Sequence, residues 1–173
     1  KPNFSNRLTV LLEQGVVVAV AHVRGGGEKG ESWHQGGMKA TKPNTWKDFI
    51  ACSEYLINQK YTSSSKLIGN GVSMGGVLIG RAITERPDLF AVAIAEVGMT
   101  NTLRVETTAN GPNQIPEIGT ITDKEDAKHL IEMDAQSKVK KGVKYPAVIV
   151  RVGMNDSRVV PWMPGKFAAV LQN

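Results

Sequence analysis

Ser73 lies at the centre of NGVSMGG, residues 70–76, which contains the pattern G-x-S-x-G. Between a strand and a helix this pattern has a mechanical meaning: small residues beside the serine let the chain turn sharply and push the hydroxyl outward. Gly71 and Gly75 are the residues expected to provide that room, and the Met74 amide, at a helix start, is placed to donate to a developing oxyanion. A bare match is often a glycine-rich turn with an incidental serine, so the flanking elements must decide. A serine hydroxyl is a weak nucleophile until a histidine takes its proton and an acid orients that histidine. The acid candidate is Asp156 in GMNDSRVVP, directly after an apolar run of strand length.

The base is harder to find. The chain has three histidines, His22, His34 and His129, and none follows Asp156, whereas the usual chain order on an α/β sheet is serine, acid, histidine. His22 ends an apolar run and reads as a hydrogen-bonded structural residue. His129 reads as solvated on a polar helix. His34 lies in a glycine-rich loop near the same sheet end and is the best local candidate for a substitute base.

The elements that must position these groups alternate in type. GVVVAVAHV, residues 15–23, is β-branched and continuously apolar, as expected of a parallel strand covered on both faces. Residues 44–59 place Trp46, Phe49, Ile50, Leu56 and Ile57 at helical spacing, with Thr45 and Asp48 as a predicted cap. KLIGNG reads as a strand, MGGVLIGRAITER as a helix stopping near Pro87, and FAVAIAEVG as another buried strand. DKEDAKHLIEMD reads as a helix, YPAVIVRVG as a strand and PGKFAAVLQ as a last helix. Parallel neighbours need crossovers, so the class is α/β, doubly wound, with helices on both faces. Chemistry then belongs at the carboxyl ends of the strands, where Ser73, the loop after Val23, the segment after Val97 and the segment after Val152 fall.

With 173 residues the chain fits a single domain, residues 1–173, and its 41% hydrophobic and 21% charged content predicts a soluble protein, leaving cytoplasm and periplasm open. No apolar run is long enough to span a bilayer. Cys52 is the single cysteine, so no internal disulfide forms, and it reads as a partly buried helix filler. The net charge of +5 raises nucleic acid as a partner. However, the densest basic stretch, SKVKKGVKYP, carries no recognition motif and reads as a solvated loop. Gly25 to Gly27 resemble a phosphate cradle but lack the downstream lysine, so no cofactor, metal or nucleic acid is implied.

Four strings, VAVAHVRGGGEKGESWHQGG, FIACSEYLINQKYTSSSKLIGNGVSMGG, ERPDLFAVAIAEVG and NDSRVVP, occur here in one order. Together they resemble the catalytic domain of the prolyl oligopeptidase family of serine peptidases, and the R-G-G-G-E-x-G-x-x-W-H string is far more specific than G-x-S-x-G. The resemblance implies an α/β-hydrolase fold, incomplete at both termini, with Ser73 as nucleophile and Asp156 as triad acid. It also implies that Arg158 hydrogen-bonds a carbonyl of a bound peptide and that Met99 lines an apolar pocket. The family's oxyanion tyrosine, triad histidine and β-propeller have no counterpart in these residues. Its proline-stacking aromatic aligns near Gln114, which weakens the expectation of strict proline preference. The family does not use the histidine of the W-H pair as its base, and Trp33 reads as packing. The expected activity is cleavage of short peptides or esters through an acyl-enzyme. The rival reading is an inert or complementing segment that oligomerises through exposed sheet edges and borrows its base.

Overall fold

The computed structural model describes residues 4–173. Three parallel strands form the sheet: β1 (Ile68–Val72), β2 (Val92–Glu96) and β3 (Ala147–Arg151), in the order β1-β2-β3. The longer helices are α1 (Asn6–Glu13), α3 (Pro43–Asn58), α4 (Gly75–Glu85), α7 (Lys124–Met133) and α8 (Trp162–Leu171). Shorter ones are α2 (Glu31–Gln35), α5 (Thr102–Val105) and α6 (Ile115–Ile118). The register aligns Val72, Glu96 and Arg151, so all three strands end at one rim.

Strand alternation divides the sheet into two unlike faces. Gly69 and Gly71, Ala93 and Ala95, and Val148 and Val150 share one face and meet α4 and α8. The glycines let α4 lie close: a Cβ on Gly69 would come within 2.6 Å of Ile79 Cδ1. Behind α4 pack α3, through Trp46 and Ile50, and α8, through Met163 and Phe167, all buried in one core. Each such side chain stabilises the fold by about 1.5–3 kcal/mol relative to exposure. The opposite face carries Ile68, Val72 and Ile149, each more than half exposed. There Arg7 of α1 pairs with Glu96 at 2.7 Å. Helices flank the sheet as expected, unequally: the apolar stripes of α3, α4 and α8 converge on the glycine and alanine side, whereas α1, which buries no residue, meets the other face through Arg7.

The expected strand at residues 15–23 does not form. No ladder neighbour reaches it, and Val17 and Val20 stay exposed; β-branched residues favour a strand only where a sheet edge receives them. Its last carbonyl, on Val23, instead accepts from Gly26 N–H and from Trp33 Nε1, at 3.2 and 3.0 Å. This fits the expected packing role of Trp33. The other three strands and the helices from residues 43, 75, 124 and 162 lie where periodicity put them, with Asp123 capping α7 through the amides of Glu125 and Asp126.

Four smaller expectations are corrected. Thr45 and Asp48 do not cap α3, whose start is set by Pro43; they bind the Arg24 carbonyl and guanidinium instead. Cys52 is exposed, since the buried stripe of α3 runs through Trp46, Ile50 and Ser53. His22 is exposed too, with Nδ1 3.4 Å from Glu28, because the strand that would have buried it is missing, while His129 is half-buried on α7 rather than solvated. No helix among the described residues is long and apolar enough to cross a membrane.

Candidate active site

Ser73 ends β1 and opens the turn into α4 with φ of +56°, a left-handed conformation uncommon for a residue with a side chain. Its backbone is held from both sides. Ser73 N–H donates to Glu96 O at 3.0 Å, and Ser73 O accepts from Gly76 and Met99 N–H at 2.8 and 2.9 Å. The glycines explain why the chain can turn here. A Cβ on Gly71 would lie 2.1 Å from Gly75 O, and one on Gly76 2.3 Å from Met99 N; the same position on Gly75 is open. Gly71 and Gly76, rather than Gly71 and Gly75, are therefore the sterically required pair.

The neighbouring strand end is strained as well. Val97 has φ of +42°, a conformation that is a true outlier for a β-branched side chain, and its N–H donates to Arg151 O at 2.7 Å. Periodicity carries no signal for it. The Met74 amide, between Ser73 and the first turn of α4, donates to no acceptor among the described residues. Met99 is buried in the core, and its amide donates to Ser73 O.

Asp156 lies in the loop between β3 and α8, at the same rim as Ser73 by strand register. Its Oδ1 accepts from Arg158 and Val159 N–H at 2.8 and 3.0 Å. These backbone donors, Val159 first, hold its carboxyl below the ordinary value. Asp156 is thus a charged carboxylate that shapes its own loop. Arg158 is exposed, and its carbonyl accepts from Asn110 Nδ2 at 3.3 Å, which ties the acid loop to the segment after α5.

His34 is placed elsewhere. Its Nε2 is 3.0 Å from Glu117 Oε2 and its Nδ1 3.8 Å from Glu31 Oε1, so both ring nitrogens face carboxylates. No histidine hydrogen-bonds Ser73 among the described residues. The R-G-G-G string that carries His34 closes on itself: Arg24 forks onto Asp48, and a Cβ on Gly37 would strike the Arg24 backbone at 2.5 Å. Glu96 and Asn110, which hydrogen-bond Ser73 and the Arg158 carbonyl, were not legible as site neighbours, although strand register alone would have found Glu96.

A serine forced into a left-handed turn between a parallel strand and a helix, with an aspartate loop two strands along, defines an α/β-hydrolase. Residues 2–173 match the model of the prolyl oligopeptidase family, and the chain belongs to that family. It is 40% identical over 173 residues to a prolyl endopeptidase of Elizabethkingia miricola, covering 99% of this chain and 24% of that protein. With a prolyl endopeptidase of Dictyostelium discoideum it shares 38% identity over 157 residues, or 90% of this chain and 21% of the relative. Prolyl oligopeptidase B from Galerina marginata, bound to a 35mer hydrolysis and macrocyclization substrate, superposes with a TM-score of 0.83 at 37% identity, over 86% of this chain and 21% of that one. The chain thus spans about a quarter of the length of the curated relatives it matches.

Proposed function

We propose that the chain carries the nucleophile and acid of a serine hydrolase of the prolyl oligopeptidase type, acting on short peptides or esters. Ser73 Oγ would attack the acyl carbon as its proton passes to a triad histidine oriented by Asp156, with the Met74 N–H donating to the oxyanion; collapse would break the bond to the alcohol or amine, which takes that proton and leaves the acyl group on Oγ. Arg158, exposed beside Asp156, hydrogen-bonds a carbonyl of the bound peptide. The observation that supports this reading most is the left-handed φ of Ser73 between β1 and α4, a cost the chain bears where the hydroxyl must be presented. His34 is not the base in this reading: its Nε2 is 3.0 Å from Glu117 Oε2, and it makes no hydrogen bond to Ser73 among the described residues.

Activated esters are the favoured substrates of this chain, since their leaving groups need less proton donation than an amide's amine. Incubating the protein with an aryl ester and with a proline amide, beside Ser73→Ala, tests the assignment. Ester turnover should fall by at least about a hundredfold in the variant. Equal rates in the two proteins would remove Ser73 from the mechanism.

A second reading is favoured by the open sheet face: an inert or complementing segment that assembles through its exposed strands and takes the base from another chain. Sedimentation velocity across a range of concentrations decides it, and a strictly monomeric species would exclude assembly.

A further inference from the structure

Glu117 collects charges that no sequence motif groups together. Its Oε1 lies 2.6 Å from Lys42 Nζ, and Lys42 is only 3% exposed; its Oε2 lies 3.0 Å from His34 Nε2. Lys42 immediately precedes α3, His34 lies on α2, and Glu117 is on α6, more than seventy residues further along the chain. A second link runs beside it: Lys39 Nζ to Asp126 Oδ2 at 3.3 Å, with the same oxygen accepting from Thr120 N–H at 3.1 Å. An ammonium buried this deeply is tolerated only when paired, so Lys42 and Glu117 hold each other in place.

Two contacts tie the segment that Glu117 anchors to the candidate site, beside others that hold it to Leu130 and Asp134 through Thr102 and Leu103. It leaves β2 through Met99, whose amide holds Ser73 O, and at Asn110 it donates to the carbonyl of Arg158 in the acid loop. Between those contacts and the anchor, Val105, Gly111 and Ile118 are buried, so the stretch is seated against the core rather than loose. Its half-buried Gln114 lies three residues from the carboxylate.

We propose that Glu117 is a positioning residue: with Lys42 and His34 it pins the far end of residues 102–118, and so sets where that wall stands relative to Ser73 and the Asp156 loop. His34, on α2 and too distant in sequence to be read as a partner of Glu117, is the more exposed half of this anchor, and Lys42 is the buried half. The anchor acts through the wall, on the fit of the acyl group, and not on the serine's reactivity. This inference rests on the hydrolase reading of Ser73 for its kinetic consequence and on geometry alone for its structural one.

The test uses the full chain and three variants, Glu117→Gln, His34→Leu and His34→Gln, followed by amide hydrogen exchange and ester kinetics. Glu117→Gln and His34→Leu should raise exchange at least about fivefold in residues 106–118 and also in 153–160, across the Asn110–Arg158 contact, and leave 68–85 unchanged. His34→Gln, whose amide can still donate to Glu117, should restore the parent pattern. For an aryl ester with a bulky acyl group, KM should rise about tenfold in the two disrupting variants with kcat held within about twofold, while an acetyl ester is unaffected. Exchange that rises only in residues 31–45, or equally everywhere, would overturn the proposal, as would a fall in kcat at constant KM. Should Glu117→Gln fail to fold because it strands the Lys42 charge, His34→Leu decides the matter. Absence of Ser73-dependent turnover in the parent protein would remove the hydrolase reading, and the exchange comparison would still judge the anchor.

Discussion

The turn after β1 and the loop after β3 stand on the same rim of the sheet and are held by different forces. At Ser73 the backbone is confined by contact: positions 71 and 76 leave no room for a Cβ beside neighbouring main chain, and three backbone hydrogen bonds fasten the serine itself. At Asp156 the loop is shaped by the acid's own carboxylate, which gathers the amides of Arg158 and Val159 while remaining near solvent. Ser73 is therefore placed by sterics, and Asp156 by electrostatics. A steric site tolerates changes of solvent but not of volume; an electrostatic one shows the reverse.

The largest break in this contrast should come from volume. Gly71→Ala and Gly76→Ala should each destabilise the protein by about 1–3 kcal/mol or more in urea titrations, because the atoms they would strike are backbone. Gly75→Ala, whose Cβ meets nothing within 4 Å, should stay within about 1 kcal/mol of the parent and on the stabilising side, since alanine is the better helix former. If all three alanines behaved alike, the steric account of the turn would be wrong.

Charge should matter more modestly, and only at the other loop. Asp156→Asn keeps an oxygen that can accept from both amides and should leave the melting temperature near that of the parent, whereas Asp156→Ala should lower it and loosen residues 153–160. Circular dichroism melts of the pair are sufficient to check the order. On ester turnover the two variants should fall together, since neither can carry the negative charge that a triad histidine needs.

The smallest effect is a pH dependence with a definite sign. Backbone donation from Val159 and then Arg158 depresses the Asp156 pKa below its ordinary 3.8. A carboxyl depressed on folding contributes stability that is fully present above the unfolded value and is lost as pH falls through the folded one. The amide resonances of Arg158 and Val159 should therefore shift together below pH 3.8, while those of Ser73 and Gly76 stay constant. Movement of the Ser73 turn in that window would show that the two regions are coupled electrostatically after all.

Legibility in the sequence followed the range of the interactions involved. The strands Ile68–Val72, Val92–Glu96 and Ala147–Arg151, and the helices after them, were readable because period and breakers such as Pro87 act within a few residues. Ser73 and Asp156 were readable for the same reason, each sitting at a junction of such elements. The run at residues 15–23 misled, since its composition reports strand propensity but not whether an edge is there to receive it. The partner of His34 was not readable, since Glu117 lies on a helix more than eighty residues away in the chain.

The amino-acid sequence by itself determined the alternation of strand and helix, the family and the serine turn, because these depend on local period and on residues that only glycine can replace. Tertiary structure alone decided which glycine makes room, which sheet face is covered, and that Lys42, His34 and Glu117 meet. Those outcomes depend on close approach between segments far apart in the chain, and the energy of a contact is set by what arrives on the other side of it.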